Sequence, residues 1–163
     1  GKENLEKETF EIEKLIENVK DLFSIVATRK NIHIYHTKLT KLQPIYGDPN
    51  KIKQFLYNLV SNAIKFTPDG GEVEIISNIK NAYLDIIIRD NGIGIDDSDI
   101  DKLFQPFSQI DDIYKKSTQG TGLGLYICKK LIELHEGSIS VQSIKGRGSD
   151  FIIHLPLGQN NKN

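Results

Sequence analysis

Apolar side chains recur every three to four positions in three long stretches, which is the spacing of one face of an α-helix. The first stretch covers residues 12–30. The second runs from residue 49 to about residue 66, after Asp48, a favourable N-cap, and Pro49, which suits the first helical position. The third covers about 121–135 and stops before a glycine. We therefore predict three helices that each bury one side.

Alternating or short continuous apolar runs predict the β-strands. The predicted strands lie at 9–12, 32–38, 72–79, 82–90, 138–144 and 149–157. Hairpin-like turns join most of them, so the pattern favours an α+β two-layer sandwich, in which helices cover one face of a mixed, mostly antiparallel sheet. A short helix is predicted within 96–104, and the irregular polar stretch at 105–120 is long enough to suggest a functional loop.

Composition narrows the class of protein. The 163 residues fit one globular domain, and a net charge of −1 gives no argument for binding nucleic acid or an anionic membrane. The single cysteine, Cys128, excludes an intrachain disulfide and favours a reducing compartment. No apolar run approaches the roughly 20 residues of a membrane helix, and no signal peptide is recognisable. The abrupt charged start and the absence of Met indicate a piece of a longer protein.

Three glycines, Gly120, Gly122 and Gly124, stand where the third helix is predicted to begin. Glycine disfavours helix, but it lets a helix N-terminus approach a phosphate closely. A flexible hinge explains the same spacing equally well. The pattern is G-x-G-x-G after a polar loop, so it matches neither the dinucleotide fingerprint nor the Walker A loop.

Two further stretches carry polar groups of chemical interest. Asn58, Asn62 and Lys65 share one face of the second helix, which suits a metal–phosphate ligand, although a solvated face is favoured from this helix alone. Asp90 ends an apolar strand and is followed by the glycine turn 91–95. Asp-Asn-Gly is also an ordinary turn sequence, so this segment alone leaves both interpretations open.

The order of these motifs resembles the ATP-binding catalytic domain of sensor histidine kinases, a member of the GHKL superfamily with the Bergerat fold. The resemblance covers roughly residues 9–157. It rests on "NLVSNAIKFTP" (N box), "DNGIGI" (G1), "LFQPFSQ" (F), "GTGLGL" (G2) and "GRGSDF" (G3), in that order. Residues 1–8 are then expected to be the linker from a preceding dimerisation domain, and 158–163 a polar tail.

The resemblance implies ATP and Mg²⁺ as ligands. By this resemblance, Asn62 coordinates Mg²⁺ between the phosphates, and Asn58, one turn earlier, shapes that site. Lys65 reaches a phosphate oxygen, and Phe66 packs near the base or sugar. Asp90 accepts a hydrogen bond from the exocyclic amine of adenine, where guanine presents a carbonyl oxygen, so the site would discriminate between the two bases.

The remaining boxes complete the implied site. Residues 96–119 would form the ATP lid. The adenine pocket would be walled by Gly92, Gly94 and Ile95, the lid anchored by Phe104 and Phe107, and the phosphates bound at Gly120, Thr121, Gly122, Leu123, Gly124 and Leu125. In this last set the glycines turn the backbone around the phosphates, and the two leucines hold the helix to the core. Lys115 and Lys116 either approach the γ-phosphate or are solvated. Gly146 and Gly148 are expected to form a plain turn.

Two departures concern the reaction. Hydrolytic members of the superfamily carry a water-activating Glu where this chain has Asn58, so the resemblance favours phosphoryl transfer over ATP hydrolysis. The phosphoacceptor histidine of the family lies on the dimerisation domain, so no catalytic residue is expected on this chain. The chain's own histidines are expected to be structural or solvated; His135 lies at a helix end, where a cation suits the dipole. No zinc site is expected.

Four functions remain as hypotheses. The leading one is the kinase module of a two-component sensor histidine kinase, with its parent's dimerisation domain and a downstream response regulator as partners. A GHKL protein-serine kinase, a nucleotide-sensing module and an ATPase are the alternatives, the last disfavoured by Asn58. The domain is expected to be cytoplasmic, whether or not its parent is membrane-anchored, and monomeric in isolation from a homodimeric parent. No nucleic-acid partner is expected.

Overall fold

The computed structural model describes residues 4–106 and 124–158. Within these ranges the strands are β1 (Glu8–Phe10), β2 (His33–Lys38), β3 (Ile45–Gly47), β4 (Glu72–Lys80), β5 (Tyr83–Asp90), β6 (Ser138–Ile144) and β7 (Gly148–Pro156). The helices are α1 (Ile12–Leu22), α2 (Ser24–Arg29), α3 (Pro49–Lys65), α4 (Asp97–Ile100) and α5 (Gly124–Leu134). None of the helices in the described ranges combines the length and the hydropathy that crossing a membrane requires.

Five strands form the main sheet in the order β2-β4-β5-β7-β6. Strand β2 runs parallel to β4, whereas the other neighbouring pairs are antiparallel. Strands β4 and β5 form a hairpin, and both turn residues, Asn81 and Ala82, have positive φ (55° and 66°), as a type I′ turn requires. The predicted mixed, mostly antiparallel sheet is therefore confirmed.

Helices cover one face of this sheet, and the apolar core lies between the two layers. The core face of α3 comprises Ile52, Phe55, Leu56, Leu59, Val60, Ala63 and Ile64, all buried. On β5 the core-facing positions alternate with outward ones and are Leu84, Ile86, Ile88 and Asp90. The amphipathic helix and the alternating strand thus meet as predicted, and the strand's inward series ends in a carboxylate.

The structure differs from the prediction at one helix and at one strand. The helix expected over 12–30 is broken at Phe23, which has φ −100° and ψ 4° and separates α1 from α2. The ring of Phe23 is buried and lies 4.7 Å from the ring of Tyr57, so tertiary packing accompanies the break. Strand β3 was not predicted, because three residues are too few to show a period; it pairs with β1 in a separate two-stranded sheet.

The side chain of Asp48 joins three segments of backbone. Its Oδ1 accepts hydrogen bonds from the N–H groups of Asn50 (3.1 Å) and Lys51 (3.2 Å), which caps α3 as predicted. Its Oδ2 accepts a hydrogen bond from the N–H of Glu6 at 2.9 Å. The segment before β1 is therefore attached to the first turn of α3.

His135 closes the same region from the end of α5. The backbone N–H of Asp48 donates to Nε2 of His135 at 3.1 Å, and Nδ1 of His135 donates to the carbonyl of Leu131 at 2.9 Å. Burial lowers the pKa of the imidazole. Because a ring nitrogen that accepts a hydrogen bond is unprotonated, His135 is a neutral structural residue and not a cation that the helix dipole stabilises.

Replacing the Asp48 cap tests this arrangement. We expect Asp48→Ala to lower the free energy of unfolding by about 2 kcal/mol, the upper end for loss of an N-cap, because the carboxylate also holds Glu6. Urea unfolding measures the change, with Asp69→Ala, at an exposed position, as the control. Equal losses in the two variants would contradict the role given to Asp48.

Candidate functional site

Asp90 is the most unusual side chain of the sheet. It is only 6% exposed, and its Oδ1 accepts a hydrogen bond from the N–H of Gly92 at 2.9 Å. The backbone N–H of Ser149 is a second donor to this carboxylate. Burial outweighs both donors and raises the pKa of Asp90 to about 6. A buried carboxylate with a perturbed pKa is typical of a functional site.

The turn after Asp90 packs directly against the end of α3. The N–H of Ile93 donates to the carbonyl of Phe66 at 3.2 Å. A Cβ on Gly92 would lie 2.2 Å from that same carbonyl oxygen, so no larger residue fits there. Gly94 has a φ of +72°, and a Cβ there would lie 2.2 Å from the carbonyl oxygen of Ile144. The structure therefore brings Phe66, Asp90 and the G1 glycines together.

The polar residues predicted on α3 lie on the helix whose end packs against this turn. Asn58 and Asn62 are half-buried, whereas Lys65 is exposed. The side chain of Asn58 hydrogen-bonds the thiol of Cys128 on α5, and that thiol also lies 3.6 Å from the carbonyl oxygen of Phe55. Cys128 is fully buried, and burial raises the pKa of its thiol to about 12. Cys128 is thus a buried thiol that ties α5 to α3.

Two residues that the sequence analysis did not single out fix the end of α3. Nζ of Lys30 donates to the carbonyl of Ile64 at 2.8 Å. The hydroxyl of Thr67, which is 1% exposed, donates to the carbonyl of Ala63 at 2.6 Å. The carbonyl of Ile64 also accepts a hydrogen bond from the N–H of Thr67 at 3.3 Å, so Lys30 adds a second donor to it. Both side chains thus donate to carbonyls of the last helical turn. Thr67 lies in the predicted helix stop, and nothing in the local pattern of Lys30 indicates this contact.

The two glycines of the turn between β6 and β7 differ in their surroundings. A Cβ on Gly146 would meet no atom within 4 Å, which fits the expected plain turn. Gly148 has a φ of +129°, and a Cβ there would lie 2.1 Å from the carbonyl oxygen of Asp90. Gly148 is therefore required by its close approach to the backbone of Asp90, a packing role that the sequence analysis did not predict.

Phe104 precedes residues 107–123 in the sequence and Leu125 follows them, and both side chains pack in the core. The ring of Phe104 meets that of Phe151 edge-on, with centroids 6.4 Å apart. Leu125 is buried in the first turn of α5, which begins at Gly124. Ile95 is also buried. The other predicted site residues lie outside the described residues: Phe107, Gly120, Thr121, Gly122 and Leu123, together with Lys115 and Lys116.

His36 has the connectivity of a hydrolase triad but not its accessibility. Its Nδ1 lies 2.7 Å from Oε2 of Glu17, and its Nε2 lies 2.8 Å from the hydroxyl of Ser77. Ser77 is fully buried, so no substrate reaches its hydroxyl. The cluster is structural, as expected for the histidines. Across residues 4–106 and 124–158, no three His, Cys, Asp or Glu side chains are grouped to hold a metal ion.

Residues 47–159 match the family of histidine kinase-, DNA gyrase B- and HSP90-like ATPases, which is more than half of the chain. The chain belongs to this family.

Two curated relatives illustrate the match. The chain is 34% identical over 163 residues to the autoinducer 2 sensor kinase/phosphatase LuxQ of Vibrio harveyi, covering 96% of this chain and 19% of LuxQ. It is 46% identical over 111 residues to the sensor histidine kinase RcsC of Escherichia coli (strain K12), covering 68% of this chain and 12% of RcsC. The chain thus spans a fifth or less of the length of these relatives.

Solved structures confirm the fold. The catalytic domain of the histidine kinase ThkA superposes with a TM-score of 0.83 at 32% identity, covering 94% of this chain and 97% of that one. Full-length ShkA in complex with AMPPNP gives a TM-score of 0.87 at 27% identity, covering 98% of this chain and 33% of ShkA. ThkA in complex with the response regulator TrrA gives a TM-score of 0.78 at 29% identity, covering 93% of this chain and 42% of that one. The resemblance and the predicted Bergerat fold are both confirmed.

The raised pKa of Asp90 makes stability depend on pH in a defined direction. The folded protein keeps a proton on Asp90 up to about pH 6, whereas the unfolded chain loses it near the usual aspartate pKa of 3.8. The contribution of this group to the free energy of unfolding therefore falls as pH rises between these values. We expect the stability of Asp90→Asn relative to the unchanged protein to rise by about 2–3 kcal/mol between pH 4 and pH 7.

Urea unfolding at several pH values measures this difference. Asp69→Asn, at an exposed position, is the matched control and should show little change with pH relative to the unchanged protein. A stability difference for Asp90→Asn that stays constant across this pH range would contradict the raised pKa.

Proposed function

We propose that this chain is a protein-histidine kinase catalytic domain, which binds Mg-ATP and donates the γ-phosphoryl group to a histidine on its parent's dimerisation domain. The observation that carries the proposal is the buried carboxylate of Asp90 at the end of β5, surrounded by the glycine turns. Family membership and the AMPPNP bound to ShkA support ATP as the ligand.

The adenine side of the site is proposed to form around Asp90. The exocyclic amine of adenine would donate to this carboxylate, and Gly92, Gly94 and Ile95 would wall the pocket, with Phe66 beside the base or sugar. Guanine presents a carbonyl oxygen at the corresponding position, which would face the carboxylate unfavourably. A buried polar group left unpaired is costly, so this contact would select adenine.

The phosphate side is proposed to lie between α3 and α5. Asn62 would coordinate Mg²⁺, Lys65 would reach a phosphate oxygen, and the stretch 120–125 would turn around the phosphates. The contact of Asn58 with Cys128 supports a shaping role for Asn58, because it fixes α5 against α3. Oxygen ligands such as an amide carbonyl and phosphates suit Mg²⁺. The lid would run over 96–119, anchored by Phe104 and Phe107.

Transfer is favoured over hydrolysis, because Asn58 cannot act as a general base for water. The names of the relatives, both sensor kinases, favour histidine over serine as the acceptor. A response regulator as the downstream partner is supported by the ThkA complex with TrrA. We retain residues 9–157 as the catalytic domain, 1–8 as the linker and 158–163 as the tail, and the cytoplasm as its location.

Calorimetric titration tests the adenine pocket. Non-hydrolysable ATP and GTP analogues are titrated with Mg²⁺ into the chain and into Asp90→Asn, with Asp69→Asn as the control. We expect saturable, adenine-selective binding that Asp90→Asn weakens about 10–100-fold, the range for losing a hydrogen bond to a charged group. Binding by the unchanged chain should weaken as the pH falls below about 6, because bound adenine favours the ionised carboxylate.

The pH dependence separates this contact from titration of the phosphates. The part of the pH dependence of binding that is due to Asp90 should be missing in Asp90→Asn and present in the control Asp69→Asn. Binding that is indifferent to both the base and the substitution would contradict the proposed pocket.

Incubation with γ-labelled ATP tests the acceptor. We expect no stoichiometric acid-labile label on this chain alone, because its described histidines are engaged in structural contacts or paired on the sheet. Label should appear on the parent's dimerisation domain when that domain is added. Stoichiometric label on the isolated chain would refute the proposed division between donor and acceptor.

A further inference from the structure

Ser143 interrupts the apolar series on the inner face of β6. Ile139 and Val141, at the two preceding inward positions, pack against the core. Ser140 and Gln142 alternate with them and are exposed. The third inward position therefore carries a hydroxyl where the strand pattern calls for an apolar side chain.

The hydroxyl of Ser143 has three polar neighbours. It accepts a hydrogen bond from the N–H of Ile95 at 2.8 Å and donates to the carbonyl of Gly148 at 2.9 Å. Its oxygen also lies 2.7 Å from the hydroxyl oxygen of Ser149. Because each hydroxyl carries one proton, donation from Ser143 to Gly148 leaves Ser149 as the donor between the two serines.

Each of these neighbours belongs to the surroundings of Asp90. Ile95 ends the glycine turn that follows Asp90, and it is buried. Gly148 packs against the carbonyl of Asp90, and the N–H of Ser149 donates to the Asp90 carboxylate. The β6–β7 turn also contacts this segment, since the N–H of Gly146 donates to the carbonyl of Ile93. The hydroxyl of Ser143 therefore links the turn after β5 to the start of β7, where the N–H of Ser149 donates to the carboxylate of Asp90.

We propose that Ser143 is a positioning residue for base recognition: it sets the spacing between the 93–95 segment and the start of β7, and thereby the placement of the Asp90 carboxylate. This inference rests on the proposed function, because it concerns the adenine contact. Ser143 acts through Ile95, Gly148 and Ser149, and no direct contact with nucleotide is assigned to it.

Ser143→Ala is expected to lose nucleotide affinity to an extent that depends on the base. Ser143→Ala leaves the buried N–H of Ile95 and the carbonyl of Gly148 without the hydroxyl, so the two segments shift relative to each other. Adenine binding through Asp90 should suffer, whereas a hypoxanthine base, which lacks the exocyclic amine, makes no such contact to lose. We expect the ratio of ATP to ITP affinity to fall about 5–10-fold.

The experiment titrates non-hydrolysable ATP and ITP analogues with Mg²⁺ into the chain and three variants. Ser143→Ala removes the hydroxyl, Ser143→Thr retains it, and Ser140→Ala makes the same change at an exposed position of the same strand. Amide hydrogen exchange of Ile95 in the free protein is the second measurement. Ser143→Ala should speed this exchange and lower the affinity ratio, whereas the other two variants should keep both near those of the unchanged chain.

The outcomes distinguish the two levels of the proposal. An unchanged affinity ratio in Ser143→Ala, or an equal loss for both nucleotides, would overturn the positioning role while leaving the proposed function in place. No adenine preference in the unchanged chain would overturn the proposed function and this inference with it. If Ser143→Ala does not fold, Ser143→Cys, which keeps the side-chain size with a weaker hydrogen-bonding group, is judged by the same ratio.

Discussion

The carboxylate of Asp90 occupies a position where the alternation of β5 otherwise places apolar side chains in the core. Its charge is disfavoured by burial, and two backbone N–H groups offset only part of that cost. Its glycine neighbours have no room for a side chain. A Cβ on Gly92 would clash with the carbonyl oxygen of Phe66, and a Cβ on Gly148 would clash with the carbonyl oxygen of Asp90. The end of α3, the glycine turn and the start of β7 therefore pack as one unit around this group.

The two helices beside that unit are joined at two levels. At the start of α3, Asp48 contacts His135, just beyond the end of α5, and further along α3, Asn58 contacts Cys128 on α5. The earlier residue on α3 therefore contacts the later residue in the α5 region, and the later residue on α3 contacts the earlier one. The two helices consequently run antiparallel. The N-terminus of α5, where the glycine-rich motif ends, consequently lies toward the C-terminal half of α3. This arrangement supports the proposal that the phosphates bind beside the adenine pocket.

Periodicity sufficed to predict the sheet and the long helices, because each buries a continuous apolar stripe or alternates across the sheet. It missed the break at Phe23, since the apolar pattern continues through it, and β3, which is too short to have a period. The motifs located Asp90 and its glycines. They did not reveal that Gly148 packs on Asp90, that His135 is a neutral acceptor, or that Lys30 fixes the end of α3, because these contacts join residues far apart in sequence. Ser143 did leave a signal: it is a polar residue at an inward position of an alternating strand.

Asp90 is proposed to recognise adenine, and a crystal structure of the chain with Mg²⁺ and AMPPNP would show this contact. We expect the exocyclic nitrogen of adenine at hydrogen-bonding distance, about 3 Å, from a carboxylate oxygen of Asp90, with the base against the 92–95 segment and Mg²⁺ at Asn62. A nucleotide bound elsewhere, or an adenine amine that points away from Asp90, would contradict it.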